Sequence, residues 1–103
     1  MKNITCKELL EKYSFGCNSV IIDLRNHLDF LKGHIPSSFN IPYDLFVQKY
    51  INYLSYDKTY FLICEGGERS KKCTQLLLKN NYKAINICDG YKNWKGPIEI
   101  SHH

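Results

Sequence analysis

Short apolar runs alternate along this chain with segments whose apolar residues recur every three or four positions. Val20-Ile21-Ile22 is a continuous apolar run ended by Asp23, the form of a strand buried on both faces of a parallel sheet. Tyr60-Phe61-Leu62-Ile63 is the strongest such run, and Phe39-Asn40-Ile41 and Ala84-Ile85-Asn86-Ile87 read as further strands. Helical patterns lie between them. Thr5-Cys6-Lys7-Glu8 fits a capping box, with Leu9, Leu10 and Tyr13 as an apolar face, so a helix should run to about Tyr13. Leu28, Phe30 and Leu31 predict a short helix stopped by Gly33 and Pro36. Leu45, Phe46, Tyr50, Ile51 and Leu54 recur at helical spacing. Glu65-Gly66-Gly67-Glu68 reads as a loop. A helix is expected from Ser70, with Cys73, Leu76, Leu77 and Asn80 on one face and Asn80-Asn81 at its end. A short terminal helix is expected over about residues 91 to 95, before Gly96-Pro97. This alternation of strand and helix predicts an α/β architecture.

The 103 residues suit one domain, taken as residues 1–101, with no repeat or linker. His102-His103 is set aside as a tail of the kind an affinity tag leaves. No apolar run approaches the roughly 20 residues of a membrane span. Nor does an apolar stretch follow Lys2, so no membrane partner is expected and the cytoplasm is the default location. The net charge of +4 comes mostly from scattered lysines; Arg25 and Arg69 are the only arginines. That spread argues against a nucleic-acid partner and for a mildly basic surface able to attract anions. The five cysteines are odd in number and none pairs at Cys-x-x-Cys spacing. A disulfide framework and a zinc site are both disfavoured, and no metal or organic cofactor is expected. What remains is whether one thiol is set up to react.

Cys64 is the candidate. It follows the strongest strand and precedes Glu65-Gly66-Gly67-Glu68-Arg69-Ser70 and a helix. Ligands in open α/β sheets bind beyond the carboxyl ends of strands. Two glycines let the backbone curl until successive N–H groups point inward, and the helix N-terminus and Arg69 add positive charge. Such a cup stabilises a nucleophilic thiolate and can hold the outer sulfur of a persulfide.

At this point the sequence resembles the rhodanese family. Ile63-Cys64-Glu65-Gly66-Gly67-Glu68-Arg69-Ser70 looks like that family's active-site loop, in which the cysteine accepts sulfur. Ile21-Ile22-Asp23-Leu24-Arg25 is similar to its strand ending in Asp-x-Arg. Gly33-His34-Ile35-Pro36 with Asn40-Ile41-Pro42, and Asp89-Gly90-Tyr91-Lys92-Asn93-Trp94, resemble its other two signatures. The pieces occur in the family's order over roughly residues 3 to 98. The resemblance implies a three-layer fold, a parallel five-stranded sheet with helices on both faces. It implies a sulfurtransferase in which Cys64 carries a persulfide between a donor, thiosulfate or a small-molecule or protein persulfide, and a thiol or cyanide acceptor. Two departures stand out: Ser37-Ser38 replaces a Gly-Ala pair, and Asp89 replaces a glycine. Glu65 and Glu68 would oppose a thiosulfate dianion if they face the cup. Four residues separate Cys64 from Arg69, one fewer than in the Cys-x5-Arg pattern of cysteine phosphatases, which narrows the cup toward a single sulfur. The rival readings are a non-catalytic binding module and, behind it, a phosphatase or arsenate reductase.

Plainer roles suit the other candidates. Cys73 reads as a core thiol, with resolution of oxidised Cys64 the alternative, and Cys6, Cys17 and Cys88 read as packing residues. Asp23 and Arg25 tie loops together, with Asp29 a plausible partner of Arg25. His34 reads as a turn-holding histidine rather than a base. Arg69 shapes the loop or binds substrate. Trp94 and the tyrosines belong to core or rim, and Lys71 and Lys72 to a solvated face or an anion guide. A monomer or weak dimer is expected.

Overall fold

The apolar runs become strands of one parallel sheet in the computed structural model, which describes residues 1–12 and 18–101. The expected helix end at Tyr13, the packing role of Cys17 and the tail at 102–103 lie outside the described residues. The order is β1 (Asn3–Ile4), α1 (Cys6–Lys12), β2 (Ser19–Asp23), α2 (His27–Lys32), β3 (Phe39–Asn40), α3 (Tyr43–Lys49), β4 (Thr59–Ile63), α4 (Glu68–Lys79) and β5 (Lys83–Ile87). The sheet runs β1-β5-β4-β2-β3, with every pairing parallel. β4 is central, and Ile63 lies opposite Asp23 of β2. The hydrophobic pattern missed β1, because two residues carry no periodicity; only the pairing of Asn3 with Asn86 and Ile4 with Ile87 makes them a strand.

Side chains of successive strand residues point to opposite faces, so each apolar run feeds two cores. Ile22, Tyr60, Leu62 and Ala84 pack with Phe46 of α3 and with Cys73 and Leu77 of α4. Ile21, Phe61, Ile63 and Ile87 pack with Cys6 and Leu9 of α1 on the other face. Each fully buried aliphatic side chain contributes about 1.5–3 kcal/mol of transfer free energy. Cys64 continues the alternation of β4 one step past its end and falls on the α3–α4 side.

Local signals set most helix ends. The capping box forms: Thr5 N–H donates to Glu8 Oε1 at 3.0 Å, and Glu8 N–H to Thr5 Oγ1 at 3.1 Å. Hydrogen bonding from Thr5 holds the Glu8 carboxyl below its ordinary range. Asp89 adds a distant cap, accepting from Cys6 N–H at 2.9 Å, which gives that departure from the glycine pattern a purpose. Three expectations need correction. α3 stops at Lys49 and passes into a 3-10 turn over Tyr50–Asn52, which leaves Ile51 exposed. The terminal helix is a single 3-10 turn over Tyr91–Asn93, beyond which Trp94 is extended and its Nε1–H donates to Pro97 O. Asn80 is exposed rather than on the packed face of α4; its side chain donates to Leu76 O, and Asn81 at φ 69° ends the helix. Among the described residues, no helix is long and apolar enough to cross a membrane.

Candidate active site

The loop after β4 wraps around one sulfur atom. Gly67 N–H donates to Cys64 Sγ at 3.1 Å and Ser70 N–H at 3.3 Å. The Ser70 hydroxyl lies 3.4 Å from the same sulfur and donates to Gly67 O at 3.1 Å. These amides are free because α4 begins at Glu68, not at the expected Ser70. The first N–H groups of a helix have no partner within it. Arg69 therefore lies in the first turn of α4 rather than in the loop. Cys64 is 4% exposed but not sealed, since it borders an open cavity of about 330 Å³. Glu65, Glu68 and Arg69 line that cavity from the loop side, and Arg25 and Asp29 face them.

Gly67 is the pivot. Its φ is +100°, and a Cβ there would lie 2.1 Å from Cys88 O, so no other residue fits without moving the backbone just after β5. The turn after β5 holds the loop from below. Tyr91 N–H donates to Cys64 O at 2.8 Å and Lys92 N–H to Glu65 O at 3.3 Å. Gly90, at φ +77°, lets the two backbones touch, because a Cβ would lie 2.2 Å from Glu65 O. Sequence reasoning left this support unassigned. Its one signal is the glycine of the closing segment.

The other candidates take up structural positions around the cup. Asp23 is fully buried, and Arg25 grips it through Nη2–Oδ2 at 2.8 Å and Nε–Oδ1 at 3.0 Å. Arg25 also donates to Gly33 O at 2.8 Å and covers the Tyr91 ring at 3.7 Å. Burial opposes its charge, but the hydrogen bonds and attraction to Asp23 outweigh that and hold the guanidinium above its ordinary range. The expected Arg25–Asp29 pair does not form. Asp29 instead bonds to Asn26, whose side chain caps α2. His34 holds its turn: Nδ1 bonds to Phe30 O at 2.7 Å, and its ring stacks on Phe30 at 3.8 Å.

Arg69 lies over the Tyr43 ring at 5.1 Å while lining the cavity, a contact between residues too far apart in sequence to foresee. Lys71 and Lys72 are exposed and do not border the cavity. Cys73 is fully buried; burial first, then nearby Cys64, pushes its thiol up to about 12. Cys6 is buried and donates to Gly90 O at 3.2 Å, bracing the supporting turn. Cys88 is exposed, not packed as expected.

With this geometry in place, the comparisons are specific. A family model described as the rhodanese-like domain matches residues 5–97. The uncharacterized protein YqhL of Bacillus subtilis (strain 168) is 34% identical over 100 residues, 96% of this chain and 76% of YqhL. YrkF of the same organism, provisionally named a sulfur carrier protein, is 32% identical over 77% of this chain and 43% of its own length. SSP1007 from Staphylococcus saprophyticus superposes with a TM-score of 0.85 at 31% identity, over 96% of this chain and 99% of that one. A rhodanese-like domain protein from Staphylococcus aureus gives 0.82 at 29%, over 99% and 100%.

Proposed function

Because this chain belongs to the rhodanese-like domain family, we propose that its sulfur-transfer role is enzymatic and runs through a persulfide on Cys64. The observation that carries the reading is the pair of N–H groups, from Gly67 and Ser70, aimed at a cysteine sulfur on the wall of an open cavity. In the first half-reaction the Cys64 thiolate attacks the outer sulfur of a donor, and the donor leaves with the electron pair of the broken bond. The loop amides then stabilise the enzyme persulfide. In the second half-reaction a thiol, or cyanide in vitro, takes that sulfur and frees Cys64. Asp23, Arg25 and His34 hold the loops around the cup and take no proton. The cup surrounds one sulfur atom, and four residues rather than five separate Cys64 from Arg69. That size favours sulfur transfer over phosphate chemistry.

Glu65, Glu68 and Asp29 outnumber Arg69 and Arg25 around the cavity, and Arg25 is already paired with Asp23, so the mouth disfavours a compact dianion. A persulfide is therefore the preferred donor and thiosulfate a poor one. Residues 1–101 act as one catalytic domain, and the reduced cytoplasm, where thiol acceptors abound, suits the chemistry.

Intact-mass analysis after donor treatment tests the reading. The protein should gain one sulfur mass on Cys64 and lose it to an added thiol. No gain with thiosulfate or any persulfide donor, or turnover only on an aryl phosphate or arsenate, overturns it.

A further inference from the structure

A second cavity, of about 460 Å³, opens beside the cup. The two share Arg25, Asp29 and Glu65 as a common ridge. Beyond the ridge the second cavity is lined by Lys32 and Lys92, with Tyr91, Trp94 and Ile98 as its apolar surface. Lys92 belongs to the turn that supports the loop, and its Nζ lies 3.9 Å from where a Cβ on Gly66 would be. Its ammonium therefore stands over the loop, next to the cup. Neither Lys32 nor Lys92 has an ion-pair partner among the described residues. Arg25, by contrast, is already engaged by Asp23, Gly33 and Tyr91. Two unneutralised ammonium groups thus border a half-apolar cavity that adjoins the reactive sulfur.

We propose that this second cavity holds the carrier part of a low-molecular-weight persulfide, R–S–SH, whose carbon skeleton ends in a carboxylate. The inference rests on the sulfur-transfer reading of Cys64. The carboxylate pairs with Lys92 and Lys32, the carbon chain lies on Tyr91, Trp94 and Ile98, and the outer sulfur reaches Cys64. Charge placement separates this donor from a compact dianion. A dianion in the cup keeps its whole charge among Glu65, Glu68 and Asp29, with Arg69 left to offset them because Arg25 is paired with Asp23. A longer donor carries its charge past the ridge to the lysines. In the transfer, a bond forms between Cys64 Sγ and the outer sulfur while the donor S–S bond breaks. R–S⁻ departs with the electron pair and the proton stays on the transferred sulfur, so no outside oxidant is needed.

The test compares wild type, Lys92→Gln and the Lys32→Gln/Lys92→Gln double variant on two donors, the persulfides of 3-mercaptopropionate and of its amide. Both substitutions are at exposed positions, and thermal melting checks that the fold survives. Wild type should load from the carboxylate donor with kcat/KM about tenfold higher, the effect of one charge-assisted hydrogen bond. The double variant should lose that preference through the carboxylate donor alone. A parallel titration uses the unreactive 3-(methylthio)propanoate and its amide, read by the fluorescence of Trp94, the single tryptophan. The carboxylate should bind more tightly, and only in the presence of the lysines. Equal use of both donors by wild type, or an equal loss on both in the variants, overturns the proposal. Failure of Cys64 to load from either donor while the carboxylate still binds overturns the donor assignment and leaves an anion subsite; failure with thiosulfate and other persulfides as well overturns the sulfur-transfer reading. Failure of the binding arm sinks the subsite whatever Cys64 does.

Discussion

Cys64 and Cys73 lie in the same packed cluster between the sheet and α3–α4, at 4% and 0% exposure. They differ in what the backbone offers. Cys64 stands where a strand gives way to a glycine-bent loop and a helix start, so nearby N–H groups have no helical partner and turn toward its sulfur. Cys73 sits in the middle of α4, where neighbouring amides are taken up by the helix. Nothing there compensates a charge, and burial pushes its thiol up to about 12. Burial by itself makes a thiol inert. Burial beside free amides and an open cavity leaves it hydrogen-bonded and within reach of a ligand.

Five experiments press on that contrast. Replacing the sulfur has the largest effect: Cys64→Ser should abolish the sulfur mass gain and lower turnover by a thousandfold or more, on the order of losing a nucleophile. Gly67→Ala comes next. A Cβ at φ +100°, 2.1 Å from Cys88 O, must displace the loop. The expected loss is about a hundredfold in the loading rate and roughly 3 kcal/mol in stability, read by single-turnover mass analysis and urea unfolding. Normal loading by this variant would show that the amides are not what separates the two thiols.

Alkaline pH sharpens the other side. The Cys73 thiol is raised in the folded protein from 9.0 to about 12, so above pH 9 the folded chain keeps a proton that the unfolded chain releases. Its contribution to stability is whole below pH 9 and drains away as the pH climbs toward about 12. Cys6 acts in the same direction. Cys73→Ala should flatten the fall in stability over that window, measured by unfolding at stepped pH. In native protein at about pH 8, iodoacetamide should label exposed Cys88 and spare Cys73 and Cys6. The smallest effect is on function: Cys73→Ala should load sulfur within about twofold of wild type and lose about 1 kcal/mol of stability. A large loss of loading would assign Cys73 a share in the chemistry.

Much of this was legible in local pattern. β2, β4 and β5 announce themselves as apolar runs, since a buried parallel strand needs apolar residues on both faces, while the edge strand β3 shows only as a short run at Phe39-Asn40-Ile41. The capping box at Thr5 and the stop at Asn80-Asn81 are likewise local. α4 starts two residues before the expected Ser70 because Gly67, a glycine in the loop pattern, is the cap itself. Sequence reasoning points Arg25 to the wrong carboxylate. Asp29 is close enough in sequence to invite a pairing, but Asn26 engages it at the start of α2, leaving Arg25 to Asp23.

By itself, the sequence determined the alternating architecture, the position of one cysteine at the end of the central strand, and the glycine that bends the chain after it. Each depends on residues within a few positions of one another, where propensity and periodicity act. Only the tertiary structure decided how the cup is braced and what borders it. β5 brings Gly90, Tyr91 and Lys92 under the loop, α3 brings Tyr43 to Arg69, and the two cavities meet along Arg25, Asp29 and Glu65. Those contacts join residues tens of positions apart. Such separations leave no periodic trace along the chain, and sheet pairing and helix packing alone bring them within reach.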